Sequence, residues 1–61
     1  MTSIFYSMDK HTVLSLTDVL NHNGVQANCT RIIGDVWHVM VLDSRKETAM
    51  LIATEYGYFQ E

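Results

Sequence analysis

The stretch Ile33-Gly34-Asp35-Val36-Trp37-His38-Val39-Met40-Val41-Leu42 decides the fold. Val36–Leu42 is rich in β-branched and aromatic side chains and carries apolar residues at positions pointing both ways. It therefore reads as a central strand. Gly34-Asp35 is a two-residue link suited to a type II′ hairpin with glycine first. The strand before it is predicted at Val25–Ile33, weakened by Gln26 and Asn28. A two-residue turn sets Ile33 opposite Val36, Ile32 opposite Trp37, Arg31 opposite His38, Thr30 opposite Val39 and Cys29 opposite Met40.

After the central strand, Ser44 with Glu47 three residues on predicts a capping box opening a helix. Its apolar face is expected to be Ala49, Met50, Ile52, Ala53 and Tyr56, with Gly57 closing it. Tyr58–Glu61 is a tail that returns as a short edge strand or packs on the core. At the other end, residues 3–8 read as a strand, with Ile4, Tyr6 and Met8 on one face and Ser3, Phe5 and Ser7 on the other. Asp9 is a candidate N-cap for a helix whose stripe is Val13, Leu16, Val19 and Leu20. Ser15 with Asp18 offers a later start. Gly24 suits the position after that helix.

The element order is βαββα, an α+β class, as one domain over residues 1–61. A crossover from strand one to strand two leaves a gap for strand three, giving sheet order 1-3-2 with two helices on one face. The most hydrophobic strand then lies in the middle. The pattern looks like a truncated ferredoxin-like unit. The stretch from Val36 through Gly57 also resembles small bacterial signal-transducer-like domains: an apolar strand and Asp43 lead into a short Ala-rich helix ending in Tyr56-Gly57. These resemblances imply a fold and carry no functional residue.

Composition narrows the function classes. With 48% hydrophobic and 18% charged residues among 61, the chain lacks the signature of disorder. At this size it buries only ~60% of its unfolded surface, so a second copy or a partner is expected to complete the core. Four Lys+Arg against seven Asp+Glu argue against binding nucleic acid through its phosphates. No apolar run reaches the ~18 residues of a membrane span, and the N-terminus lacks the regions of a signal peptide. The single Cys29 excludes an intrachain disulfide and points to a reducing compartment, the cytoplasm.

Little in the sequence carries chemistry. His11, His22 and His38 come with no metal-ligand spacing, so no metal and no cofactor are expected. Cys29 reads as a small buried hydrophobe, with His38 conceivable as a diagonal neighbour on one face. Thr2 as an N-terminal nucleophile has no supporting group. Arg31 beside His38 reads either as a rim of long side chains or as a small-anion site built on the guanidinium fork.

The hairpin register predicts two sheet faces. Val25, Ala27, Cys29, Ile33, Val36, Met40 and Leu42, interrupted by Arg31 and His38, are assigned to the helices. Ile32, Trp37, Val39 and Val41, with Phe5 adjacent, are then left looking outward as a partner interface. The acidic residues Asp9, Asp18, Asp35, Asp43, Glu47, Glu55 and Glu61 form solvated faces or engage a basic partner, with Asp18, Asp43 and Glu47 foremost. The leading expectation is a non-enzymatic protein-interaction module, an adaptor, regulator or inhibitor, binding a partner protein or itself as a homodimer. In size and charge it is similar to the compact acidic proteins that phages and mobile elements direct at host enzymes. The alternative is a dimeric small-ligand-sensing regulatory domain.

Overall fold

A computed structural model describes residues 1–60; Glu61, counted above in the tail and among the acids, lies outside the described residues. Its elements are β1 (Thr2–Ser7), α1 (Lys10–His22), β2 (Ala27–Arg31), β3 (Trp37–Val41), a 3-10 turn over Asp43–Arg45 and α2 (Lys46–Glu55). The sheet order is β1-β3-β2, antiparallel throughout, which is the βαββα arrangement read from the sequence.

Asp9 opens α1. Its carboxylate accepts from the His11 amide and from the Thr12 hydroxyl, each at 3.0 Å, so the helix starts here and not at Ser15. Val13, Leu16, Thr17 and Leu20 recur at three- and four-residue spacing and are the buried face. The one polar member is satisfied within the helix: the Thr17 hydroxyl donates to the Val13 carbonyl at 2.8 Å. Gly24, at φ +82°, turns the chain out of the helix, and Val25 packs into the core just before β2 begins.

α2 starts differently from the expectation. The 3-10 turn takes up Ser44, Arg45 stands at the N-cap and no side chain caps there, so the Ser44–Glu47 capping box does not form. The helix is held from one side by Ala49 and Ala53, small residues that let it sit close against α1 and β1. Met50 and Tyr56, expected to face inward, are exposed.

One cluster joins both helices to one sheet face: Phe5, Val13, Leu16, Leu20, Val25, Ala27, Val39, Val41, Ala49 and Ala53. The tail adds to it. Tyr58 meets Phe5 edge-on, with ring centroids 5.9 Å apart, and its amide donates to the Ala53 carbonyl.

The hairpin register corrects the predicted faces. Arg31 pairs with Trp37, Thr30 with His38, Cys29 with Val39, Asn28 with Met40 and Ala27 with Val41. The predicted turn over Gly34-Asp35 forms, with Gly34 at φ +60° and the Val36 amide donating to the Ile33 carbonyl at 3.4 Å, but Ile32 is an extra residue on the β2 side and shifts the pairing by one. A slip of one residue exchanges the face that every β2 side chain shares with β3. The observed register gathers Ala27 and Cys29 beside Val39 and Val41, with Phe5 from β1, into a nearly continuous apolar face. Burying that face takes apolar side chains out of water, whereas the register of a simple two-residue turn would have set His38 under the helices. Phe5, Val39 and Val41 are therefore core residues and not an outward interface.

Candidate functional site

The sheet face without helices carries Ser3, Tyr6, Asn28, Thr30, His38 and Met40, a mostly polar set. Ser3 Oγ lies 2.8 Å from His38 Nδ1, and the Tyr6 ring is 5.7 Å from the imidazole, centroid to centroid. A hydroxyl on an imidazole nitrogen is half of a nucleophilic pair. Among the described residues, however, no hydrogen bond holds the ring from its other nitrogen, so nothing fixes the tautomer. Ser3 was not singled out from the sequence, because only the sheet register brings it to His38.

Arg31 and His38, read as neighbours in a small-anion site, are not brought together. Arg31 is on the side of its partner Trp37, with its guanidinium carbon 5.6 Å from the indole ring centroid, whereas His38 faces the opposite way. Lys10 Nζ also lies over that indole, at 4.6 Å. Trp37 is half-buried beside two cations, which occupy the ring as a partner's cation would. Cys29 is half-buried opposite Val39 instead of Met40, and so lies on the face away from His38. Ile32 is exposed, but in the hairpin loop beside Ile33. No group of three His, Cys, Asp or Glu residues able to hold a metal ion occurs among the described residues.

The acidic candidates are dispersed. Asp18 is exposed on α1, where its carbonyl accepts from His22 Nδ1. The exposed Asp43 carboxylate lies 3.6 Å from the amino group of Met1. Glu47 is exposed on the first turn of α2.

The largest departure from the sequence reading is on the α2 side of the molecule. Leu51 is 68% exposed, Phe59 66% and Met50 46%. Glu47, Met50, Leu51 and Thr54 line a shallow depression of about 350 Å³. Met50 and Thr54 also wall an adjoining groove of about 260 Å³, shared with Ile4, Tyr58 and Phe59. A third depression continues along β1, between Tyr6 and Ser7 on one side and Phe59 and Gln60 on the other. The three adjoin through shared walls and make one surface across α2, the tail and the outer edge of β1.

A signal for this surface was present in the sequence. Ala49-Met50-Leu51-Ile52-Ala53 is five consecutive apolar residues, and a helix that buries one face cannot bury five in a row. Ala49 and Ala53 go inward, so Met50 and Leu51 must go out.

No helix among the described residues is long and apolar enough to cross a membrane. No family model, curated protein or solved structure matches the chain.

Proposed function

We propose that this chain is a small non-enzymatic protein-interaction module, working in the cytoplasm as an adaptor, regulator or inhibitor by occupying a surface of a partner protein. The observation that carries the reading is the exposed Met50–Leu51–Phe59 surface on elements whose other sides are anchored in the core by Ala49, Ala53 and Tyr58. Large apolar side chains held on a rigid frame present contact area with little ordering cost on binding. This surface replaces the sheet face expected from the sequence. The acidic balance of the chain favours a basic partner, and Glu47 at the border of the apolar patch supplies a local charge for it. The free thiol of Cys29 fits a reducing compartment. The alternative of a dimeric ligand-sensing domain has less support, because Arg31 and His38 of one chain lie on opposite faces and form no joint site.

The test is affinity purification of the tagged chain from its native cells, run in parallel for wild type, Leu51→Asp and Asp18→Ala. A stoichiometric partner is expected with wild type and Asp18→Ala and absent with Leu51→Asp, a loss of about 2 kcal/mol or more of binding energy. Unchanged thermal unfolding of Leu51→Asp would assign that loss to the surface and not to the fold. A partner retained by Leu51→Asp overturns the reading.

A further inference from the structure

A three-stranded sheet has two free edges, and in this protein a side-chain carboxamide pairs with one residue of each. On β2, Asn21 Oδ1 accepts from the Ala27 amide at 3.0 Å, and Asn21 Nδ2 donates to the Ala27 carbonyl at 3.2 Å. On β1, Gln60 Oε1 accepts from the Tyr6 amide at 2.7 Å, and Gln60 Nε2 donates to the Tyr6 carbonyl at 3.3 Å. A residue whose N–H and C=O both face outward exchanges two hydrogen bonds with a neighbouring antiparallel strand. Each carboxamide therefore stands where the peptide group of a fourth strand would stand.

The two plugs are not equivalent. Asn21 belongs to α1, and its bonds to Ala27 are partly buried, so the start of the β2 edge is blocked by the fold itself. Gln60 lies in the tail beyond Gly57, and its bonds are exposed. Removing it from Tyr6 requires only the tail tip to move, because Tyr58 stays on Phe5. An incoming strand would replace the two lost hydrogen bonds like for like, and would add its own apolar contacts in the groove beside Phe59, Ile4 and Met50.

We propose that the outer edge of β1 from Phe5 to Ser7 is a strand-addition site, held closed by Gln60 and opened by an extended segment of the partner protein. The proposal rests on the protein-interaction reading above and names its mode. The pairing is short: the bulge between Ser3 and Phe5 interrupts the regular ladder, so the continuous stretch is Phe5–Ser7. The occupant is an extended peptide with an apolar side chain for the groove and a lysine or arginine alongside. The cation follows from charge complementarity, since Glu47 is the only charged side chain among the described residues that line the three connected depressions.

The experiment titrates the isotope-labelled full chain with an acetylated, amidated heptapeptide, Lys-Val-Thr-Val-Thr-Val-Lys, and with the same peptide carrying proline at its fourth position. Saturable changes are expected at the amides of Phe5, Tyr6 and Ser7. Gln60→Ala should tighten binding about fivefold or more, and should speed hydrogen exchange at the Tyr6 amide by a similar factor. The proline peptide should bind about tenfold more weakly, and Glu47→Gln should weaken the lysine peptide. Gln60→Glu, which keeps the acceptor and loses the donor, should fall between wild type and Gln60→Ala.

Absence of saturable binding, or an affinity indifferent to Gln60→Ala, overturns the proposal. So does a Gln60→Ala protein that dimerises without binding peptide, which would give the edge to a second copy. Changes confined to Met50 and Leu51 would overturn strand addition while leaving the interaction surface in place. A partner retained by Leu51→Asp would sink that surface without touching the β1 amides.

Discussion

Asp9 shows how much a single side chain does in so short a chain. Its carboxylate is held below the ordinary aspartate range first by the Thr12 hydroxyl and then by the His11 amide, both of which bond to the charged form. A carboxyl with a depressed folded-state pKa adds stability above its unfolded value, and that stability is lost as pH falls through the folded value. Acid unfolding of the wild type should therefore include a part that Asp9→Asn lacks. The variant keeps an N-cap oxygen but cannot titrate, so its thermal midpoint should depend less on pH below about pH 4. Equal slopes for the two proteins would remove Asp9 from the acid response. Leu16 is the corresponding case in the core, fully buried between helix and sheet. Leu16→Ala should cost roughly 2–5 kcal/mol in urea unfolding. A domain of this length holds only roughly 3–9 kcal/mol in total at ~0.05–0.15 kcal/mol per residue, so the variant should be partly unfolded in water.

At the scale of elements, strand order was legible and hairpin register was not. The run Val36–Leu42 could only be central, and a central third strand with a helical crossover leaves one arrangement, which is the one found. The register depended on the length of a turn. Gly34-Asp35 does turn the chain between Ile33 and Val36, but Ile32 enters as an extra residue on the β2 side, and it and Ile33 are left exposed. What fixed the register was the apolar face shared by Ala27, Cys29, Val39 and Val41, a tertiary gain that the turn residues do not reveal. The candidate site suffered from the same slip, because the interface residues were chosen by face. The helix-borne part of the surface was readable in Ala49–Ala53, but Gln60 on Tyr6 joins residues from opposite ends of the chain and has no local signature. Two substitutions test the element-level account. No heavy atom lies within 4 Å of a Cβ built on Gly34, so Gly34→Ala should cost only the left-handed backbone, about 1–2 kcal/mol, and Gly34→Asn less. Ser44→Ala should change stability by no more than about 0.5 kcal/mol, since no side chain caps α2.

For the whole molecule, the question posed by 61 residues is whether one copy closes its own core. The sheet face under the helices is filled by Phe5, Val39 and Val41 from the sheet and by α1 and α2 from above, and the tail returns Tyr58 to seal the β1 side. Each sheet edge carries one carboxamide from the same chain, Asn21 on Ala27 and Gln60 on Tyr6, which blocks pairing between copies at those two positions. Outside this closure lie the exposed Ile32 and Ile33 of the hairpin tip, Met8, and the apolar surface on Met50, Leu51 and Phe59. Two copies meeting there would also bring Glu47 near Glu47, on chains that each carry a net charge of −3. The expected result is a thermal midpoint independent of protein concentration over a hundredfold range, with the mass of a single chain by sedimentation. A midpoint that rises with concentration would mean that association is linked to folding. If Leu51→Asp then removed the rise, the apolar side would belong to a second copy, and the search for a different partner would end there.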